Sequence, residues 1–266
     1  MSIVVTHSSG FFSCCSIRLW HIIQYINKNQ ALPTKVDSSQ QFTLYKNDAR
    51  DITFDYFVHY DIMSPIPVSS MSYHWDDQYK PYSSLPYHVL CPVVQKYFTP
   101  NSVIMKLAHD MEIKYNINYS TTCVLFYRGN DKNTETFICN YDEYVNRARD
   151  ILALQPNIRF FIQSDETEFI QMFLKLFPNS FILHDEIRHI HKCNSTVDFQ
   201  DMSLNYDYSK KYVAITLLMS RCKYVVCGSG NCSIWIMLYR GHANNVCQQL
   251  KDTWLMNINT TNLPMV

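Results

Sequence analysis

The 266-residue chain balances 23 Lys and Arg against 23 Asp and Glu, with an isoelectric point near 7.1. No overall field therefore draws it to nucleic acid or to an acidic membrane surface. Hydrophobic residues make up 47% and aromatics 14%, with 19 Tyr and 15 Phe, which excludes a disordered chain.

The length suits one large domain or two small ones, and the expectation is two lobes, residues 1–100 and 101–266. No apolar run approaches the length of a membrane span, and the segment MSIVVTHSSGFF lacks the basic start and long apolar core of a signal peptide. A soluble, cytoplasmic protein is expected. Its ten cysteines contain no C-x-x-C pair and lie mostly in apolar surroundings, which reads as reduced thiols rather than disulfides.

In chain order, SIVVT (2–6) is a short β-branched strand followed by the loop HSSG. A helix starting near Ser13 or Ser16 places Leu19, Ile22, Ile23 and Ile26 on one face. Strand, Gly10 and helix N-terminus together form a nest suited to an anion or to sugar hydroxyls. From Leu32 to Pro100 the periodicity is poor, and six of the ten prolines (65, 67, 81, 86, 92 and 100) cluster there, so irregular structure is expected. Within it, Tyr73, His74, Trp75, Asp76 and Asp77 form an aromatic and acidic run of the kind that stacks on sugars, although a packed loop is the simpler reading.

After Pro100, Asn101 or Ser102 caps a helix on Ile104, Leu107, Ala108 and Met111. Cys123–Tyr127 is a continuous apolar run that stops abruptly at Arg128, the pattern of a strand buried on both faces of a parallel sheet. A helix over 141–154, the strand IRFFIQSD, a helix over 168–177, the strand FILHD, a polar insertion to Tyr208 and a helix over 210–221 follow. The strand KYVVC, the loop GSGN, a helix over 232–239 and the strand VCQQL close the series. This alternation predicts an α/β fold with a doubly wound parallel sheet in the second half.

In such sheets ligands bind beyond the carboxyl ends of the strands, which puts Arg128, Asn130, Asp131 and Lys132, and then Asp165 and Glu166, at a ligand edge. Of only five glycines, Gly129, Gly228 and Gly230 sit directly after strand-like runs, where the backbone can approach a ligand closely. His184, Asp185, Glu186, His189, His191 and Cys193 are metal-ligand residue types, but at no helical spacing apart from Asp185 with His189. A solvated loop is the simpler reading of them, with a metal-dependent hydrolase as the lesser alternative.

The motifs from about residue 100 to 241 resemble the GDP-fucose-dependent fucosyltransferases, the family of α1,6-fucosyltransferases, nodulation fucosyltransferases and protein O-fucosyltransferases. Phe126, Tyr127, Arg128, Gly129, Asn130, Asp131 and Lys132, with Thr134 and Glu135, look like that family's His-x-Arg-Arg-Thr-Asp-Lys followed by Thr-Glu. FFIQSDE is similar to its strand ending Thr-Asp-Asp, and Cys227–Asn231 to its Cys-Thr-Phe-Ser-Ser. Three places depart: the base-contacting histidine is Phe126, the second arginine is Gly129, and the guanine-reading aspartate falls near Ile215.

The resemblance implies a GT-B-like fold of two Rossmann-like lobes, with residues 1–100 on the acceptor side. It also implies transfer of fucose from GDP-fucose to a glycan or glycoprotein acceptor, inverting, with no metal or other cofactor. Arg128 can fork onto phosphate oxygens while the amides and hydroxyls of Gly228, Ser229, Gly230, Asn231 and Ser233 receive the rest. Arg128, Lys132 and Glu135 are the candidate catalytic residues, with Gly10, Asp131 and Asp165 joining the donor site. Glu135, Asp131 and Asp165 all remain open as the base for the acceptor hydroxyl. Phe126 would offer only a stacking face to the base. The alternative is a catalytically inactive nucleotide-sugar or glycan-binding protein of the same fold.

Overall fold

The computed structural model describes residues 2–60 and 70–258, so Pro65 and Pro67 of the proline-rich stretch lie outside it. Strand β1 (Ser2–His7), helix α1 (Phe11–Asn29) and strand β2 (Lys35–Gln41) form one parallel βαβ unit. Helix α1 starts at Phe11, ahead of the serines expected to begin it, and its backbone closes the first turn with Cys14 N donating to Gly10 O at 3.1 Å. Leu19, Ile22, Ile23 and Ile26 are fully buried as their spacing requires.

The stretch to residue 100 is more ordered than its prolines suggested. It holds β2, a 3-10 run at Trp75–Tyr79, and helix α2 (Tyr87–Phe98), which starts after Pro86 and accommodates Pro92 inside. Strand β2, KVDSSQQ, escaped the sequence reading because it has no apolar run; Val36, Ser38 and Gln41 are nevertheless buried.

Helix α3 (Ser102–Lys114), capped by the Asn101 side chain, leads into β3 (Thr122–Tyr127), whose six residues are all buried. Then come α4 (Tyr141–Leu154), β4 (Arg159–Ser164), α5 (Thr167–Leu176), β5 (Ser180–Phe181), α6 (Asn205–Arg221), β6 (Tyr224–Gly228), α7 (Asn231–Arg240), β7 (Val246–Leu250) and β8 (Thr253–Asn257). Among the described residues these strands make a sheet in the order β5-β4-β3-β6-β7-β8, parallel except for the β7–β8 pair. This is a mixed α/β, GT-B-like architecture.

Two expectations need correction. Of FILHD only Phe181 pairs, together with the preceding Ser180, because the chain leaves the sheet edge after Phe181, and helix α6 begins at Asn205 rather than Lys210.

The first hundred residues pack on the same helices that cover the sheet. Trp235 of α7 is fully buried, donates Nε1 to Ser16 Oγ at 3.0 Å, and has the rings of Phe98 and Phe12 at 4.8 and 5.9 Å. Burying a side chain of that size contributes on the order of 3 kcal/mol, and it joins α1 and α2 to α7 through one apolar cluster.

Candidate active site

The chain leaves β3 for β4 and β5 on one side and later returns to add β6 and β7 on the other. The crevice between the carboxyl ends of β3 and β6 is therefore the topological switch point, where open α/β sheets bind ligands. A cavity of about 1080 Å³ opens there. The turn between β1 and α1 (Ser8, Ser9, Gly10 and Ser13) forms one wall, and Arg128, Asp131, Lys132, Glu135, Asp165 and Asn231 form another. The volume lies just above the ~300–1,000 Å³ usual for ligand sites.

Arg128 is fixed by three contacts. Its Nε donates to Asp165 Oδ2 at 2.9 Å, one terminal nitrogen reaches Asp131 Oδ1 at 3.3 Å, and the other reaches Cys232 Sγ at 3.5 Å. Burial alone would lower its proton affinity, but the charge of Asp165, with smaller help from Cys232, Tyr212 and Asp131, more than reverses this. Asp165, only 4% exposed, uses its other oxygen to accept from Gly129 N at 2.9 Å. The strong contact is thus to a buried carboxylate, while the longer one to Asp131 is open to exchange for an incoming anion.

Behind Arg128 the loop is braced by Glu166, which is fully buried. Its carboxylate accepts from Asn130 N at 2.6 Å and from the Tyr141 hydroxyl. Asn130 sits at φ 44°, a conformation asparagine tolerates better than most residues, and its side chain donates to Asp165 O at 2.9 Å and accepts from Cys193 N at 2.8 Å. The 183–204 insertion is therefore tied to the Arg128 loop. A Cβ built on Gly129 would lie 1.9 Å from Glu166 Oε1, so the space a side chain would need at 129 is already filled.

Lys132, 8% exposed, is ion-paired with Glu135, and Tyr79 donates its hydroxyl to Glu135 Oε2 at 3.0 Å. Burial raises the Glu135 carboxyl, but Lys132 and the Tyr79 hydroxyl outweigh that and hold it below the usual glutamate range. Burial beside Glu135 in turn pushes the Tyr79 phenol up, keeping it a donor. Beside this loop, α7 starts with no side-chain cap from the described residues. Gly230 there has φ 157° and ψ 173°, and a Cβ would sit 3.3 Å from Lys132 Cε. Asn231 Oδ1 and Gln163 Oε1 both line the cavity, buried and without a hydrogen-bond partner among the described residues.

No protein-family model and no curated protein matches this sequence. Among solved structures, NodZ α-1,6-fucosyltransferase co-crystallised with GDP superimposes at a TM-score of 0.59 with 12% identity, covering 96% of this chain and 97% of that one. Fucosyltransferase NodZ from Bradyrhizobium gives 0.59 and 12% over 96% and 98%, and NodZ soaked with GDP-fucose gives 0.56 and 11% over 96% and 98%. The chain has the fold of these fucosyltransferases.

Within that fold the predicted residues separate into two groups. Gly10, Arg128, Asp131, Lys132, Glu135, Asp165 and Asn231 border the large cavity. Gly228, Ser229, Gly230 and Ser233 lie behind it around a second recess of about 20 Å³, room for little more than a water. Ser229 is committed to β7, donating to Gln249 O at 2.7 Å and accepting from Gln248 Nε2 at 2.9 Å. Gly230 N donates to the Tyr82 hydroxyl at 3.1 Å.

Phe126, expected to stack on a base, is 2% exposed and borders only the small recess, because β3 is buried on both faces up to its end. Ile215 does line the cavity. The histidine and acidic cluster at 184–193 disperses: Lys114 takes Asp185 and Glu186, Thr167 takes His189, and Glu168 takes His191. Among the described residues no group of three or more such side chains is gathered for a metal. No described helix is long and apolar enough to cross a membrane. Tyr79, Gln78 and Tyr212 line the cavity without having been singled out in the sequence, since nothing in their local pattern marks them.

Proposed function

We propose that this protein is a glycosyltransferase that moves a sugar, fucose from GDP-fucose, onto a glycan or protein hydroxyl, inverting the anomeric centre without a metal. The observation that carries this reading is Arg128, held by buried Asp165 at the switch point and set beside the uncapped N-terminus of α7, whose Cys232 it contacts at 3.5 Å, on one cavity. The NodZ structures support it through shared fold and through the GDP and GDP-fucose named for them.

In this account the diphosphate displaces Asp131 from Arg128 and lies against the first amides of α7. The bond from the anomeric carbon to phosphate breaks with its electron pair leaving on the diphosphate, where Arg128 and the helix terminus stabilise the growing charge. The acceptor oxygen bonds to the anomeric carbon, and its proton passes to Glu135. With a depressed pKa, Glu135 is a weak base, which suits a proton that becomes acidic only as the new bond forms. We place the acceptor side in residues 1–100 and the donor side in 101–266.

Incubating the purified protein with GDP-fucose and other sugar nucleotides should release free nucleotide or transfer sugar; no response to any donor would sink the reading. GDP should bind only about tenfold tighter than UDP or ADP, roughly 1.4 kcal/mol. Phe126 is out of reach, Ile215 is apolar, and the Gln163 amide carries both donor and acceptor and so suits several base edges. A preference beyond a hundredfold would contradict this.

The pH profile supplies a further check. Glu135 is ionised above its depressed pKa, so any acid limb it sets should fall below the ordinary glutamate value of 4.5. In Lys132→Met the main opposing charge is gone, so that limb should move to higher pH; an unmoved limb removes Glu135 as the base.

A second reading, binding without turnover, is favoured by one specific observation: the place of a second arginine is filled by Glu166. Nucleotide binding with no hydrolysis or transfer would select it.

A further inference from the structure

Trp75–Tyr79 is a rigid 3-10 run on the cavity wall. His74 caps it, its Nδ1 accepting from Asp76 N at 3.2 Å while His74 N donates to Asp77 Oδ2 at 2.9 Å. Asp77 is committed to that cap and to Lys80, at 2.6 Å. The Trp75 ring is braced by His74 at 5.0 Å, and His74 by Trp20 at 5.6 Å, yet Trp75 remains 37% exposed. Gln78 is 4% exposed and lines the same cavity, and its Oε1 has no hydrogen-bond partner among the described residues. Asp76, also on this wall, keeps a half-exposed carboxylate, 3.4 Å from His74 Nδ1. At the end of the run, Tyr79 donates to Glu135.

We propose that this wall is the acceptor subsite and that it takes a neutral sugar ring, with Trp75 as the stacking platform and Gln78 as the buried acceptor of a ring hydroxyl. The inference rests on the glycosyl-transfer reading above and narrows it from a glycan or protein to a carbohydrate acceptor.

The chemistry of the wall selects that class. An unpaired buried carbonyl oxygen costs about 1–3 kcal/mol until a donor reaches it, and Asp76 beside it also accepts only. A sugar supplies O–H donors around its rim together with a flat C–H face for the indole, so one ligand satisfies both requirements. The indole side is braced before any ligand arrives, which lowers the ordering cost of binding. Tyr79 then links this wall to Glu135, the group that takes the proton of the bound hydroxyl.

The test separates acceptor from donor. Tetrasaccharides of glucose, mannose and N-acetylglucosamine, and a serine- and threonine-containing peptide pool, are titrated by ligand-observed NMR against the wild type, Trp75→Ala, Trp75→Phe and Gln78→Leu. GDP is titrated in parallel, and thermal unfolding checks each fold. At least one saccharide should bind the wild type, roughly tenfold more weakly in Trp75→Ala and Gln78→Leu, and within about threefold of wild type in Trp75→Phe. GDP affinity should stay within about twofold in all three variants.

Saccharide binding that ignores Trp75→Ala overturns the proposal even if Gln78→Leu fails to fold. So does binding of the peptide pool alone, or of no saccharide in the panel. Saccharide binding through Trp75 with no GDP binding upholds the subsite and removes the donor reading instead.

Discussion

Arg128→Ala should lower turnover on the best sugar nucleotide by roughly a thousandfold, the scale on which removing one preorganised donor to a developing anion acts. The guanidinium brings a fork of N–H groups already aimed by Asp165, at 2.9 Å; of the other cations lining the cavity, Lys132 is held by Glu135 and Arg188 is engaged by Asp198 and Asn205, each at 2.7 Å. Lysine at 128 should recover only part of the loss, because a point charge cannot reproduce the fork.

Stability should fall modestly in the same variant. Asp165 is buried but keeps its bond from Gly129 N, and the Arg128 side chain is 23% exposed, so solvent screening brings the cost to about 1–2 kcal/mol. Transfer assays paired with thermal unfolding check both halves. Turnover unchanged by the substitution would take Arg128 out of the mechanism.

Gly129→Ala should destabilise the chain by about 3 kcal/mol, lowering the melting temperature on the order of 8 °C. The methyl group would lie 1.9 Å from Glu166 Oε1 and 2.2 Å from Cδ. Flexible glutamates usually move aside, but this one is fully buried and held by Asn130 N and the Tyr141 hydroxyl. Either the carboxylate loses its donors or the 128–131 loop shifts, and the second outcome also misplaces Arg128.

Truncating the opposing side chain in Gly129→Ala/Glu166→Ala should recover more than about 1 kcal/mol relative to additivity, as expected for residues in contact. Arginine at 129 should be worse than alanine. A Gly129→Ala protein that unfolds like the wild type would refute the packing argument.

The sheet was legible where the sequence is continuously apolar. Strands β3, β4 and β6 are buried on both faces, so each announces itself as an unbroken run, and the abrupt stop at Arg128 marks the ligand edge. Strand β2 was not, because its buried positions include Ser38 and Gln41, which are held by side-chain hydrogen bonds rather than by apolar burial. Antiparallel β8 was missed for a related reason: it is an edge strand whose residues are all at least partly exposed.

At the site, the residues that follow strands were found, whereas those defined by tertiary contact were not. Tyr79 meets Glu135 across 56 residues of sequence, and Glu166 fills the space over Gly129 from a neighbouring strand end. Neither contact has a local signature. Ser229 shows the converse, a residue well placed in a motif whose hydroxyl the fold spends on β7.

The central claim is that Arg128 anchors a nucleoside diphosphate in the cavity at the switch point of β3 and β6. Calorimetric titration of GDP into the wild type and into Arg128→Ala tests it most directly. The account predicts one site in the wild type and affinity at least about thirtyfold weaker, roughly 2 kcal/mol, in the folded variant. No GDP binding to the wild type, or equal affinity in the two proteins, would contradict it.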